Sequence, residues 1–315
     1  MVRISPESLN ECFKKTLMNK WFWLLLAIAC WMGTGFVLFG SHQEPDRSNT
    51  SLSGRAERIV SMAPNLTEIL FALGLEDKIV GVTLHCNYPP AAAEKPKIGT
   101  FWQPNIEAVI AAKPDLVITL GFEQQRSFTE RLKRIGFNCL AVNVETVSEL
   151  FEAIGRIGTA TGKQKEANRL VSDIREKLNE LAALVGTEDK VSVLWVVQRE
   201  PLRVAGRETF INEIIELAGG ENAIGQTIYK YPPIGAEQVI AGGADVIIEP
   251  SMAKENVSSQ QESAIRYWNK FENLPAVMNK RIYVINGDIV SRLGPRLCEG
   301  VETVAKCLHP ELFRD

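Results

Sequence analysis

The sequence predicts an α/β protein of two Rossmann-like lobes joined by a single long α-helix and preceded by an N-terminal transmembrane segment. Three observations carry this reading. From Arg58 onwards short apolar runs alternate with helical patterns, as parallel βα units do. A phrase in the first half, NIEAVIAAKPDLVI, returns in the second as AEQVIAGGADVII. Between the two, apolar residues fall three and four apart over a stretch far longer than any loop needs.

Residues 1–20 are read as a cytoplasmic N-terminus. Trp21 to Gly40 carries no charge over roughly the 20 residues that a bilayer-spanning helix requires. Lys14, Lys15 and Lys20 precede it while Glu44 and Asp46 follow, so the positive-inside bias puts the rest of the chain outside the membrane. A cleaved signal peptide and a lipoprotein signal ending at Cys30 are the alternatives to a retained anchor. Residues 41–57 are polar and Ser-rich, the composition of a flexible tether.

The N-terminal lobe is assigned to 58–160. Its strands are RIVSM, KIVGV and LVITL, with helices from Asn65 to Leu73 and from Ile106 to Ala112. Residues 161–187 form the connector, in which Ala167, Leu170, Val171, Ile174, Leu178 and Leu181 make one stripe on a helix of about 35 Å. GRIGTATGKQ, just before it, lacks the spacing and the hydroxyl of a phosphate loop and reads as a helix-joining turn. The C-terminal lobe, 188–315, holds VSVLWVV, FINEIIELAGG, DVIIE and RIYVI. In the duplicated phrase Val, Ile and Ala are explained as core positions of a helix feeding a strand. Glu107 and Glu237 are not. Asn105 and Gly235 read as helix N-caps, placing each glutamate in a first turn, where the helix dipole favours a carboxylate.

Composition narrows the function. With 45% hydrophobic and 23% charged residues in 315, and a formal net charge of -3, the chain has no basic field for nucleic acid. GxSxG, HExxH and CxxC are absent. Of three histidines, His42 falls in the tether and His309 in the C-terminal tail, leaving little for a metal or a triad, so no enzyme activity, catalytic residue, metal site or cofactor is expected. Cys86, Cys139, Cys298 and Cys307 have no metal-ligand spacing and are expected as buried free thiols. What remains is a set of aromatic and polar residues on loops after strand ends, where open α/β sheets bind ligands. These are His85 and Tyr88, Phe101 and Trp102, Tyr229 and Tyr231, and Asp288, Arg292 and Arg296, with Trp195 and Gln198 also near a strand end.

RIVSMAPNLTEILFALG followed by KIVGVT, NYPP, NIEAVIAAKPDLVI and EQVIAGGADVII resembles the helical-backbone class of ABC-transporter substrate-binding proteins, which bind vitamin B12, iron siderophores and haem. The resemblance runs from Arg58 to the C-terminus and is nearest to cobalamin-binding members. It implies a ligand cleft between the lobes and little hinge motion. It further implies ligand contacts from His85, Phe101, Tyr231, Asp288 and Arg292, with Trp102 beside Phe101; His85 departs from the Tyr expected at its position. Glu107 and Glu237 match the paired glutamates through which such proteins dock on arginines of their permease subunits. A two-fold symmetric permease presents the same patch twice, which accounts for saying the phrase twice. The expected function is thus extracytoplasmic capture of cobalamin or a related corrinoid and its delivery to an ABC permease. A siderophore- or haem-binding protein of the same class, or a membrane-tethered ligand sensor, is the alternative.

Overall fold

The structure, a computed structural model, describes residues 56–251 and 257–313. The predicted membrane segment and nearly all of the tether lie outside the described residues. Among the described residues no helix is long and apolar enough to cross a membrane.

The first sheet has four parallel strands in the order β2-β1-β3-β4, formed by β1 (Ile59–Ser61), β2 (Ile79–Val82), β3 (Leu116–Leu120) and β4 (Cys139–Val142). The helices between them are α1 (Pro64–Ala72), α2 (Pro90–Ala93), α3 (Ile106–Ala111) and α4 (Glu123–Arg134). After β4 come α5 (Val147–Thr161) and α6 (Gln164–Val185). The second sheet follows, with β5 (Val191–Arg199), β6 (Leu202–Val204), α7 (Phe210–Leu217), β7 (Gly220–Asn222), α8 (Ala236–Gly242), β8 (Val246–Ser251), α9 (Val257–Trp268), α10 (Pro275–Met278) and β9 (Ile282–Asn286). There β5 pairs in parallel with β7 and β8, β8 pairs with β9, and β6 closes antiparallel on the end of β5. The chain ends with α11 (Gly287–Val290), α12 (Leu297–Leu308) and a 3₁₀ turn, Pro310–Phe313.

Alternation along the strands separates two faces of each sheet. Ile59, Leu116, Ile118, Val193, Trp195, Val246 and Ile248 all enter one hydrophobic cluster, which also contains Ala167, Ile174, Leu178 and Val185 of α6. Val60 and Val117 turn instead to a cluster under α3 and α4, and Leu194 and Ile247 to one under α8, α9 and α10. The connector therefore does not merely link two cores. One continuous core runs from the first sheet past α6 into the second. Of the predicted stripe, Leu170, Val171 and Leu181 are half-buried against the same cluster.

The turn entering α6 is made by Gly162, the left-handed C-cap of α5 at φ 71. Gly158 lets the two helices close, since a Cβ there would meet the Ala167 side chain at 2.5 Å. The duplicated phrase also folds alike in both lobes. Val109 and Val239 are buried, and Lys113 and Gly243 both take positive φ, 48 and 55, to end their helices. Asp115 accepts hydrogen bonds from the backbone of Glu57 and Arg58, and Asp245 from Ser192, each tying its strand to the start of the lobe's first one. Ile110 and Ile240 depart from the expected core placement: they stand 43% and 64% exposed, on the helix face turned away from the sheet.

Cys86, Cys139, Cys298 and Cys307 are all unpaired, two buried and two half-buried. Burial pushes the thiols of Cys139 and Cys307 up to about 11, against the pull of Lys133 and Arg281 respectively. Thiolate is the reactive form, so alkylation of these two in the folded protein is expected to climb about tenfold per pH unit up to pH 10, whereas a free thiol flattens between about pH 9 and 10. Mass-resolved iodoacetamide labelling between pH 7 and 10 measures this, and a plateau near pH 9 for both would contradict it.

Candidate ligand cleft and docking surface

Each sheet ends, at its carboxyl edge, in loops that meet those of the other lobe. From the first lobe α1 brings Asn65 and Glu68, and the loop after β2 brings His85, Asn87 and Tyr88. From the second, the turn after β9 brings Asp288, Arg292, Leu293 and Arg296. Glu68 faces inward because it lies among Leu66, Ile69 and Leu70 on the buried side of α1; its side chain is 2% exposed.

Such a carboxylate requires a partner, and it has two. Arg296 binds it bidentately, NH2 to Oε1 at 2.6 Å and Nε to Oε2 at 2.9 Å, and Arg292 NH1 stands 3.9 Å away. Arg292 also reaches Asp288 at 2.7 Å and donates to Asn87 Oδ1 at 2.6 Å, while Asn87 Nδ2 donates to Asp288 at 3.2 Å. The Arg296 guanidinium lies over the Tyr88 ring at 3.9 Å, and Asn65 donates to the Leu293 carbonyl at 3.1 Å. Burial is the largest influence on Glu68 and raises its carboxyl, against the opposing pull of Arg296. Arg296 in turn is raised, the Glu68 hydrogen bond and charge overcoming desolvation. The geometry describes an ion pair held charged by bidentate contact, with little attraction to spare after desolvation.

A second contact between the lobes lies after β4. Glu145 pairs with Lys230, and Glu213 of α7 accepts from the Val147 backbone at 2.7 Å. Next to Lys230, Tyr231 has its phenol raised by burial and then by Glu145.

The sequence-predicted ligand residues separate into groups. Asp288 and Arg292 are brought together, and their side chains are largely engaged by the neighbouring lobe. Phe101 and Trp102 form an edge-to-face pair at 4.7 Å; Phe101 packs on the shared core and on Phe122, while Trp102 is 69% exposed. His85 is exposed and Tyr231 only about one-third exposed, on separate loops, and among the described residues neither is joined to these groups by a hydrogen bond or ring contact. Trp195 lies wholly inside the shared core, out of reach of the loops, and Gln198, exposed near the end of β5, donates to the Glu200 carbonyl. Sequence reasoning missed Glu68, Asn87 and Phe122. The signal for Glu68 was present, a lone acid on the apolar face of a helix; that for Asn87 was not. Leu84, Tyr88, Ile228 and Tyr229 add further exposed apolar surface to the same strand-end loops, and Val197 adds more within β5.

Glu107 and Glu237 each occupy the second position of their helix and are exposed. Asn105 caps α3 by accepting from the backbone of Glu107 and Ala108 at 2.9 and 3.1 Å. At α8 the reverse contact serves, Gln238 accepting from the Gly235 backbone at 2.8 Å. Among the described residues neither glutamate has an ion-pair partner. Ile110 and Ile240, one turn on, share their faces. A cavity of about 620 Å³ beside α8 is lined by Leu202, Ile234, Ala236, Ile240, Tyr267 and Phe271 among others, and includes none of the predicted ligand residues.

Residues 59–289 match the model of the family described as periplasmic binding protein. YvrC of Bacillus subtilis (strain 168), an uncharacterized ABC transporter substrate-binding lipoprotein, is 32% identical over 86% of each chain. The solved periplasmic vitamin B12 binding protein BtuF of Vibrio cholerae matches at TM-score 0.71 and 26% identity, over 82% of this chain and 99% of that one. The periplasmic heme-binding protein RhuT from Roseiflexus sp. RS-1 matches at TM-score 0.72 and 25% identity, over 82% and 100%.

Replacing Glu68 by Gln strands the Arg296 charge in its buried position. The expected loss is about 3–5 kcal/mol of unfolding free energy in urea titration, whereas Lys306→Gln, which breaks an exposed helix pair with Glu302 and a 5.7 Å approach to the Phe313 ring, is expected to cost under about 1 kcal/mol. Equal costs would remove the network from its structural role.

Proposed function

Since the chain belongs to the periplasmic binding protein family, we propose that it is the extracytoplasmic substrate-binding component of an ABC importer, and that its ligand is cobalamin or a related corrinoid. The observation that carries the ligand reading is the exposed apolar surface on strand-end loops of both lobes, from Leu84 and Trp102 to Ile228, Tyr229 and Tyr231. A corrin offers broad apolar faces and a rim of amides, which aromatic walls and a few polar groups suit. The likeness to BtuF supports the same ligand. In this reading His85, Phe101, Trp102 and Tyr231 contact the ligand, and Asp288 and Arg292 orient it at the edge of the network they already form. The lobes are 58–160 and 188–315 with 161–187 between them, and the common core along α6 restrains hinge motion. Haem is the second reading, supported by the likeness to RhuT and by His85, an exposed imidazole available to iron.

The proposed partner is a permease with one basic patch per subunit, met by Glu107 and Glu237. Two uncompensated carboxylates at matching places in the two lobes support this reading. The proposed anchor is Trp21 to Gly40, retained in the membrane or replaced by lipid at Cys30.

Titration of the full chain with cyanocobalamin, hemin and a ferric siderophore is expected to give one-to-one binding of the corrinoid, weakened by about 1–3 kcal/mol in Phe101→Ala and Tyr231→Ala. Tight binding of hemin alone would move the ligand to the second reading. The docking role has its own measurement: uptake in cells lacking the native protein. Glu107→Lys with Glu237→Lys is expected to abolish uptake while leaving ligand affinity unchanged, through like-charge repulsion at the permease. Normal uptake by that variant would sink the docking role.

A further inference from the structure

We propose that Glu188, His309 and Glu311 form a binding site for a borderline divalent cation, best matched by Zn²⁺, at the junction of the connecting helix and the C-terminal turn. His309, which the sequence places in the C-terminal tail, is only 3% exposed and forms the C-cap of α12. Glu188 lies just beyond α6, held by its backbone bond to Val185, and Glu311 lies in the final 3₁₀ turn. One donor atom from each residue falls within 4.8 Å of the others.

The imidazole is oriented for coordination. Its Nε2 stands 3.3 Å from the Gly219 carbonyl. A proton on Nε2 donates there and leaves the Nδ1 lone pair on the side of Glu311, the arrangement in which a backbone carbonyl fixes the tautomer of a metal-binding histidine. Gly219 makes this approach possible, since a Cβ at that position would come within 2.7 Å of Nε2. Nδ1 already stands 3.6 Å from Glu311 Oε1. With bonds of about 2.0–2.2 Å, tetrahedral donors sit roughly 3.3–3.6 Å apart, so one edge of the polyhedron is set and only the exposed Glu188 carboxylate has to move inward. A water would complete the shell. One nitrogen and two carboxylate ligands suit Zn²⁺ better than Mg²⁺ or Ca²⁺, which favour oxygen throughout.

A cavity of about 450 Å³ lies on the Glu188 side of the site, lined also by Gly219, Glu213, Glu216 and Lys190, while His309 and Glu311 lie outside its lining. Its carboxylates outnumber its single ammonium, so the approach favours a cation. A bound ion would join the end of α6 to the last helix and turn, pinning the connector to the C-terminal lobe.

ZnCl₂ added to the full chain is expected to bind one-to-one by calorimetry and to raise the melting temperature by about 5 °C at saturating concentration, with no comparable rise from MgCl₂. Glu188→Gln together with Glu311→Gln, both at exposed positions that leave the core intact, should abolish that rise, and His309→Gln should do the same. Absence of one-to-one Zn²⁺ binding, an equal effect of MgCl₂, or an undiminished rise in the double glutamine variant would each overturn the proposal.

Discussion

The arrangement of the two lobes depends on the burial of α6. A helix that merely spanned two domains would expose its apolar stripe on both sides of a hinge. Here Ala167, Ile174, Leu178 and Val185 lie in the same cluster as Ile59 and Ile118 of one sheet and Val193 and Ile248 of the other. Separating the lobes would open this cluster to water, at about 25 cal/mol for every Å² of apolar surface exposed. The fold thus sets the distance between the strand-end loops before any ligand arrives, and a binding site built on those loops is preorganised rather than assembled by closure.

Hydrophobic burial is non-directional and would allow the lobes to rotate slightly on one another. The Glu68–Arg296 pair is directional. Its two parallel hydrogen bonds fix one orientation of the turn after β9 against α1, and Asn87, Arg292 and Asp288 extend the same constraint to the loop after β2. Because Glu68 is desolvated, the pair adds specificity of arrangement more than net stability. The consequence is that Asp288 and Arg292 are held in place by the neighbouring lobe, through Asn87 and Glu68, in a fixed geometry.

The alternation of strands and helices, the amphipathic connector and the duplicated helix-strand unit were all legible in the sequence, because each rests on a local period or on punctuation by Gly and Asn. Asn105 and Gly235 do cap their helices, and Gly162 does end one. What local pattern could not provide was pairing across distance. Arg296 was visible as a polar loop residue and Glu68 as a lone acid on an apolar helix face, but nothing local joined two residues 228 positions apart. His309 misled for a related reason: proximity to the chain end suggested a tail, whereas Gly219 on another element leaves it a place to pack. Trp195 was drawn towards the site by its nearness to a strand end, although strand alternation turns it into the core.

The duplicated phrase can now be divided by cause. Val109 and Val239 fill the space under their helices, Lys113 and Gly243 turn the chain, and Asp115 and Asp245 clip one strand to the next; these repeat because the same βα unit is built twice. Glu107 and Glu237, and Ile110 and Ile240, repeat without filling the core, turning the chain or clipping a strand: all four are exposed, and among the described residues neither glutamate has an ion-pair partner. An exposed isoleucine one turn from an uncompensated acid, in both lobes, combines an apolar contact with a charge, the pairing by which interfaces join burial to orientation. The two lobes are not identical in this respect. Ile240 borders a cavity walled by Tyr267 and Phe271, so the surface around Glu237 is indented and aromatic. A symmetric partner seated on both glutamates would therefore meet two chemically related but differently shaped surfaces, and only one of the two ways of seating it would place a protruding apolar side chain in that cavity.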